Sequence, residues 1–422
     1  MSAMLRSRLP AVSLLILLAG LALPALADVL DVTGYTRSVD LSVAGYTGTS
    51  TLANFPVLVR LGPSVPGFHY ADFASPDGAD LVFTDADGTV IPHEIDTWNP
   101  NGESLVWVKL PSMSKNTSFR AYWGRTPDAA NDPTAVWSGY VSVHHFGEDS
   151  GNAIDATGHG YDGIPTGDIA SGMVAYENGA VGRARVNKFG DDSVIHWQRA
   201  YLSLTNSEEI VLGTAFSVSG WFMANSVDPE QSPRLVSRKQ DWQDANGWEF
   251  ELRKSLTLMA VRGASKTHFF PAVLDCSTEW RHITVVYNGS TASVYTNGVL
   301  SLSGSIATPT DNALPITFGC NSNGSESSLH GRYDEIRITK SVSSAERALA
   351  EYRSIAVPDF VKAQPVANLA EPRTFYVDAA NGDDQEAGLS WETALSSIQR
   401  ALDLACTGDE ILVADGMYEP ID

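Results

Sequence analysis

Basic residues are scarce in this sequence. Among 422 residues, 28 lysines and arginines stand against 50 aspartates and glutamates, so the formal net charge is −22 at pH 7. A surface of this sign repels polyanions, which argues against nucleic acid and anionic lipid as partners and favours neutral glycans or divalent cations. The same acidity also suits an exported protein that is simply kept soluble by its charge.

Cysteine is also rare, with three residues in the whole chain: Cys276, Cys320 and Cys406. No two of them form a Cys-x-x-Cys motif. An oxidising compartment permits one disulfide with one thiol left over. Cys276 and Cys320 are the natural pair because both lie in the same predicted domain. Cys406 stands at the end of a predicted helix and is interpreted as a buried structural thiol.

Long apolar runs are absent beyond the first residues. Arg6 and Arg8 precede an apolar stretch that ends at Ala25, Leu26 and Ala27, which is the pattern of a secretory signal peptide over residues 1–27. The stretch is too short to span a bilayer and no comparable run follows it. We therefore expect a secreted, extracellular or cell-surface protein without membrane insertion.

Motifs for catalysis and phosphate binding are missing as well. No serine stands in a nucleophile-elbow pattern, and no glycine-rich phosphate loop occurs. His144 and His145 are neighbours in a predicted strand, so their side chains point to opposite faces and do not share a metal without help. The favoured interpretation is that these histidines are half-buried strand residues.

Residues 28–138 carry the pattern of a small β-domain. Phe55, Val57, Val59 and Leu61 alternate with other residues, and glycine, proline and aspartate separate the apolar segments. The stretch resembles a domain family of unknown function from secreted bacterial multidomain proteins. The matching phrases are NFPVLVRL (54–61), GADLVFTDADGTVIPHEIDTWN (78–99), SLVWVKLP (104–111) and AYWGRTP (121–127). This resemblance implies no particular activity.

Residues 139–356 carry four motifs in order. They are VSVHHFGEDSGNAIDATGHGYDG (141–163), FSVSGWFMA (216–224), WRHITVVYNGSTASVYTNGV (280–299) and GRYDEIRITKSVSSAERALAEY (331–352). Together they resemble the laminin-G-like branch of the concanavalin A-like lectins. The resemblance implies a two-sheet jelly-roll sandwich that binds a glycan. Asn297-Gly298 predicts a hairpin inside a three-stranded meander over 282–302, and 343–353 predicts a helix capped by Ser343 or Ser344.

The concanavalin A-like fold also includes glycoside hydrolases, so catalysis has to be judged from residues. The laminarinase-like members carry acidic residues at i, i+2 and i+5 of one strand. Here the nearest match is Glu249, Glu251 and then Lys254, so the third carboxylate is absent. A retaining mechanism needs two carboxyl groups about 5 Å apart, one of them acting as the acid. We therefore expect no enzymatic activity from this domain.

Calcium is the cofactor that the resemblance favours. In that family a metal site often joins the aspartate of a D-x-x-G turn to the aspartate that opens the last DE strand, which here are Asp155 and Asp334. Oxygen ligands on a loop rich in glycine and aspartate suit this ion. The alternative is that Asp155 binds the backbone of its own turn and that Asp334 is a hydrogen-bond acceptor at a strand end.

For sugar contact, the loop RKQDWQDANGW (238–248) is the most informative segment. An exposed aromatic ring stacks on a pyranose face while neighbouring polar groups bind hydroxyls, so Trp242 is the predicted carbohydrate-binding residue. The alternative is an aromatic ring folded over the edge of the sandwich. Trp248 begins an alternating strand and is assigned to the core.

The C-terminal part changes character again. Residues 357–373 are interpreted as a linker, and 374–422 resembles the opening of a right-handed parallel β-helix of the pectate-lyase-like type, with an amphipathic helix after the first strand. Such a fold needs about three stacked repeats, so we interpret this segment as truncated and the chain as a fragment or a shortened reading frame. The predicted fold class is all-β: an N-terminal β-domain, a jelly-roll sandwich and a β-helix opening.

Three functions remain open at this level. The first is a secreted, non-catalytic protein that binds or targets an extracellular polysaccharide or other glycan. The second is a cell-surface adhesion or structural protein. The third is the N-terminal part of a polysaccharide lyase whose catalytic β-helix coils are missing here.

Overall fold

The computed structural model describes most of the chain outside the predicted signal peptide, which lies outside the described residues. The described ranges are 29–127, 130–167, 175–187, 200–224, 232–253, 255–277, 279–325, 328–406 and 408–421. Within these ranges, no helix has both the length and the apolar character needed to cross a membrane.

The first part of the chain forms a small antiparallel β-sandwich, here called the first sandwich. Its consecutive strands are β1 (Arg37–Val43), β2 (Leu52–Leu61), β3 (Val82–Asp85), β4 (Val90–Ile91), β5 (His93–Thr97), β6 (Ser104–Met113) and β7 (Ser118–Trp123). One sheet has the order β1–β7–β3–β4 and the other β2–β6–β5. The predicted alternation of Phe55, Val57 and Val59 holds, since all three side chains are buried between the sheets.

The middle of the chain forms a larger sandwich, here called the second sandwich. Its strands are β8 (Ser142–His144), β9 (Gly163–Thr166), β10 (Ala175–Asn178), β11 (Arg183–Asn187), β12 (Tyr201–Leu204), β13 (Ala215–Ala224), β14 (Arg234–Ser237), β15 (Glu249–Arg253), β16 (Ser255–Arg262), β17 (His268–Phe269), β18 (Arg281–Asn288), β19 (Thr291–Thr296), β20 (Val299–Ser305), β21 (Thr317–Phe318) and β22 (Gly331–Thr339).

The second sandwich consists of two antiparallel sheets. One has the order β10–β11–β22–β13–β18–β19–β20 with β8 beside β22, and the other β17–β16–β15–β14–β21–β12–β9. Val218 on β13 pairs with Val285 on β18 and with Ile338 on β22, and all three are fully buried. Phe250 and Leu252 of the opposite sheet belong to the same core. This architecture is consistent with the predicted jelly roll.

The local predictions for the second sandwich are confirmed. Strands β18, β19 and β20 form the expected meander, and Asn297 and Gly298 both have positive φ in the turn between β19 and β20. Helix α1 spans Ala345–Ala356, and the Ser344 side chain accepts a hydrogen bond from the Arg347 N–H. Ser344 is therefore the cap.

The segment interpreted as a linker is paired with the first sandwich in the structure. Its strands β23 (Val361–Ala363) and β24 (Ala367–Asn368) both run antiparallel to β1. These strands are only three and two residues long, too short for an alternating pattern to reveal them. Residues 361–368 therefore extend the sheet at its edge and do not form an unpaired linker.

The C-terminal segment forms a small unit of β25 (Thr374–Val377), α2 (Ile398–Leu404) and β26 (Glu410–Val413). The two strands are parallel, and Phe375 lies opposite Ile411. The predicted order of strand, helix and strand is present, but the described residues contain no stacked β-helix coils. Short 3₁₀ helices occur at Tyr70–Asp72, Pro133–Trp137, Ser207–Glu209, Pro358–Phe360 and Trp391–Thr393.

Candidate functional site

The two sandwiches meet across a buried aromatic cluster. Trp107 on β6 and Trp137 in a 3₁₀ helix are both fully buried, and their ring centroids lie 5.6 Å apart. The guanidinium carbon of Arg337 on β22 lies 4.3 Å from the Trp107 centroid and 4.8 Å from that of Trp137. Aromatic ring faces attract a cation that lies over them, and the attraction is stronger away from water. Leu58 and Val143 belong to the same cluster, so the junction is a shared core.

A group of acidic residues and one histidine lies beside this aromatic cluster. His145 follows β8, and its Nδ1 lies 2.6 Å from Glu335 Oε1 on β22. Its Nε2 lies 3.3 Å from Glu94 Oε2 on β5. The Glu94 carboxylate also accepts a hydrogen bond from the Trp137 indole. One imidazole thus connects carboxylates from both sandwiches.

Glu335 reaches this position because β22 bulges. Between the pairs Ser219–Arg337 and Trp221–Asp334, two residues of β22 stand opposite a single residue of β13. Glu335 has φ +51°, in the left-handed region. A residue other than glycine loses about 1 kcal/mol or more there, and such strain is concentrated at functional sites. The bulge turns the Glu335 side chain toward His145.

Two carboxyl groups near His145, those of Asp96 and Asp334, have raised pKa values. Burial raises the pKa of Asp96 on β5 to about 7, and the charges of Glu335 and Glu94 add to this effect while His145 opposes it. Burial, with Glu335 next to it, raises the pKa of Asp334 well above its usual value. These two carboxyl groups therefore tend to keep a proton at the junction.

The ion-paired members shift in the opposite sense. Burial disfavours the charged imidazole, but the carboxylates of Glu335 and Glu94 raise the pKa of His145 well above its usual value. Burial likewise opposes the charge on Glu335, yet His145 and Arg337 hold its pKa below the usual range. The junction therefore contains a fixed chain of charges, from Glu94 through His145 and Glu335 to Arg337.

Asp96, His145 and Glu335 form a group that can hold a metal ion. One ligand atom from each of the three side chains lies within 4.8 Å of the other two. A cavity of about 280 Å³ opens beside them, lined by Glu94, Ile95, Asp96, His145, Gly147, Glu148, Ile154 and Ala156. One imidazole and two carboxylates, next to a space for further ligands, are a donor set that divalent ions accept.

The two aspartates predicted to bind calcium, Asp155 and Asp334, accept hydrogen bonds from backbone N–H groups. Asp155 Oδ1 accepts hydrogen bonds from the backbone N–H groups of Val143 and Thr157, and its Oδ2 accepts one from Tyr161 N–H. Asp334 Oδ2 accepts from Val181 N–H at 3.1 Å. In the described part of the chain, neither aspartate belongs to the metal-capable group. Calcium binding by this pair stays a prediction.

The adjacent histidines differ in their surroundings. His144 is fully buried in the second sandwich, 5.2 Å from the Phe318 ring, and burial lowers its pKa to about 4. His145 points the other way, into the junction, as strand alternation predicts. The interpretation of His145 as an ordinary strand residue missed its partners. Glu94 lies 51 residues before it and Glu335 lies 190 residues after it, so no local spacing reveals the group.

The carboxylates nearest to a hydrolase pattern are held by arginines. On the face of β15 opposite the sandwich core, Glu249 lies 3.0 Å from both Arg234 Nε and Arg262 Nη1. Glu251 lies 3.2 Å and 2.9 Å from the same two atoms. All four side chains are buried. Each carboxylate is therefore held in ion pairs with both arginines. Lys254 lies outside the described residues.

Trp242 lies in the loop between β14 and β15, and 41% of its surface is exposed. The loop is held from inside by Lys239, whose Nζ donates to the Asn246 and Gly263 carbonyls at 3.1 Å and 3.2 Å. Gln243 N–H also donates to Asp241 Oδ1 at 2.7 Å. The ring is therefore presented to solvent by an ordered loop. Its role in sugar binding stays a prediction.

The neighbouring Trp248 is confirmed as a core residue. Its ring is buried and contacts Phe216 and Tyr287, with centroids 5.1 Å and 5.8 Å away. The Trp248 side chain thus shares the core with Phe250 and Leu252, as the alternation along this segment predicts.

The predicted disulfide is not formed. Cys276 and Cys320 are both buried thiols. The Cys276 carbonyl accepts a hydrogen bond from the N–H of Ala224, at the end of β13 in one sheet. Cys320 follows β21, which belongs to the other sheet. A disulfide requires Cα atoms within about 7 Å, and sharing a domain does not guarantee that distance. Cys406 is a buried thiol, as expected, and packs against the core of the first sandwich.

Two parts of the chain match family models. Residues 198–348 match the family described as "Concanavalin A-like lectin/glucanases superfamily". Residues 77–160 match a "Domain of unknown function". No curated protein matches the chain. Asp96 and His145 lie in the second of these matches and Glu335 in the first, so the metal-capable group draws on both.

Several solved structures are similar to part of the chain. They are the binding domain of Paraclostridial Mosquitocidal Protein 1 (TM-score 0.39, 16% identity, 51% of this chain and 52% of that chain), domain 4 of AbnA, an extracellular arabinanase from Geobacillus stearothermophilus, in complex with arabinotriose (0.38, 19%, 50% and 96%), and the binding domain of botulinum neurotoxin serotype D (0.36, 15%, 51% and 52%). The chain spans about half the length of the two toxin domains.

Proposed function

We propose that this chain is a secreted, non-catalytic carbohydrate-binding protein. In this proposal the second sandwich binds an extracellular glycan through its rim loops, with Trp242 stacking on a sugar ring. The family match over residues 198–348 supports a lectin-like role. Glu249 and Glu251 are engaged by two arginines, and Lys254 stands where the hydrolase pattern has its third carboxylate, which favours binding over hydrolysis.

The observation that carries the proposal is the exposed indole in an ordered loop. A pre-ordered loop loses little conformational entropy when a ligand binds, so the contact contributes more affinity. Polar side chains flank the ring on both sides, since Asp241 precedes and Gln243 follows it. They supply acceptors and a donor for sugar hydroxyls. An acidic surface also suits a neutral glycan better than a sulfated one.

The test is glycan-array screening followed by affinity electrophoresis in neutral polysaccharides. We expect the wild type to bind at least one neutral glycan and Trp242→Ala to bind it about tenfold more weakly, since about 1.4 kcal/mol corresponds to that factor. The matched control is Trp391→Ala, because Trp391 is 49% exposed and lies in the C-terminal unit. Its affinity should equal that of the wild type.

Two outcomes contradict the proposal. If Trp242→Ala and Trp391→Ala lose the same glycan affinity, the loop is not part of the binding site. If the folded wild type binds no glycan on the array, an adhesion or structural role for the second sandwich is favoured instead.

A further inference from the structure

We propose that Asp96, His145 and Glu335 bind one divalent metal ion of the zinc class and that this ion ties the two sandwiches together. The ligand atoms already lie within 4.8 Å of one another. Around a tetrahedral zinc ion with bonds of about 2.0–2.1 Å, neighbouring ligand atoms lie about 3.3 Å apart. Closing that difference takes side-chain shifts of about 1–2 Å, and the His145 imidazole releases a proton when it binds the metal.

Two carboxylate oxygens near the group give an independent indication of a further ligand. Asp334 Oδ1 and Glu148 Oε2 are both buried and accept no hydrogen bond within the described structure. The Asp334 side chain is fully buried beside Glu335, and Glu148 lines the cavity together with Asp96 and His145. A buried polar atom without a hydrogen-bond partner costs about 1–3 kcal/mol. A metal-bound water is a strong donor for such oxygens.

The donor set indicates which ions fit. An imidazole nitrogen selects zinc, iron, nickel or copper over calcium and magnesium, which prefer oxygen alone. Two carboxylates complete a three-ligand set, and the adjoining cavity leaves room for solvent in the fourth position. Zn²⁺ is the stable probe because it has no redox chemistry, and Co²⁺ reports the ligands by its absorption spectrum.

The position of the group gives the ion a mechanical role. Asp96 lies on β5 of the first sandwich, whereas His145 follows β8 and Glu335 lies on β22 of the second. An ion bound by all three makes coordinate bonds across the junction that only the native arrangement offers. Metal binding therefore adds to the free energy of unfolding of the joined sandwiches.

The experiment uses the full chain after removal of metals with EDTA. Zinc binding is measured by isothermal titration calorimetry, and thermal unfolding is measured with and without Zn²⁺. The test variant is Asp96→Asn, which keeps the side-chain shape. The control is Asp87→Asn, because Asp87 lies on an exposed turn of the same sandwich. We expect one Zn²⁺ per chain for wild type and control, and at least tenfold weaker binding for Asp96→Asn.

Three results would overturn the proposal: no zinc binding by the folded wild type, equal binding by Asp96→Asn and the wild type, or equal weakening in Asp87→Asn. If Asp96→Asn does not fold, the Co²⁺ spectrum of the wild type decides, since it must show absorption bands of a four- or five-coordinate site with an imidazole ligand. An octahedral spectrum counts against the site. None of these measurements involves a glycan, so they are independent of the carbohydrate-binding proposal.

Discussion

Replacing Arg337 by methionine should weaken the junction of the two sandwiches more than any exposed arginine replacement. The Arg337 guanidinium donates to Glu335 Oε2 from Nη2 at 2.7 Å and from Nε at 3.3 Å. It also lies over the rings of Trp107 and Trp137. Its side chain is 4% exposed, so water screens none of these interactions effectively.

The magnitude follows from these contacts. Removing one partner of a buried ion pair destabilises by about 3–5 kcal/mol because the other charge stays behind. His145 remains next to Glu335, which favours the lower end of that range. The lost contacts with two aromatic faces add about 0.5–2 kcal/mol each. Methionine keeps the aliphatic packing, so little is lost from volume. We expect a loss of at least about 4 kcal/mol in the free energy of unfolding.

The assay is urea unfolding followed by tryptophan fluorescence and circular dichroism. The control is Arg120→Met, because Arg120 pairs with Asp40 at the surface, where the two side chains are 45% and 57% exposed. Exposed pairs contribute about 0–1 kcal/mol. Adding Glu335→Gln to Arg337→Met should recover part of the loss, since it removes the carboxylate that has lost its guanidinium partner. If Arg337→Met and Arg120→Met lose the same free energy, the junction is not the buried ionic core described above.

Two further predictions concern buried titratable groups. Burial lowers the pKa of His93 from 6.5 to about 4, so the unfolded chain binds a proton that the folded chain rejects, and stability present above pH 6.5 is lost as the pH falls toward 4. His93→Leu should remove up to about 3 kcal/mol of this loss in urea titrations at several pH values, and an unchanged pH dependence in this variant would contradict the prediction. Burial also raises the pKa of Cys276 to about 12, so Cys276 should resist alkylation at pH 8 until urea unfolds the chain. A Cys276–Cys320 disulfide found by mass spectrometry of native protein would contradict this prediction.

Features that depend on neighbouring residues were predictable from the sequence. The alternation of Phe55, Val57 and Val59 identified a core strand of the first sandwich, Asn297-Gly298 identified a hairpin turn, and Ser344 was one of two proposed helix caps. In each case the determining interaction lies within a few residues of the signal. Period-two burial, positive φ and side-chain capping are local effects, so they are visible in a single sequence.

Features that depend on tertiary pairing were not predictable in this way. Residues 361–363 join β1 only because the chain returns to the first sandwich after helix α1. Cys276 and Cys320 share a domain but lie next to strands of different sheets, and counting cysteines cannot reveal this separation. Asp96 and Glu335 meet only because the two sandwiches pack against each other.

The Asp334-Glu335 dipeptide shows why strand spacing alone does not predict which side chain of β22 contacts His145. In a regular strand, neighbouring side chains point to opposite faces, so a regular β22 would place Asp334 and Glu335 on opposite sides. Here β22 bulges and Glu335 takes a left-handed conformation, which turns its carboxylate to His145 while Asp334 stays buried against Val181 N–H. The bulge is a property of the pairing between β13 and β22, opposite Gly220. A side chain at Gly220 would contact Ile336 and Phe222 at 3.0–3.1 Å, so this close approach depends on glycine.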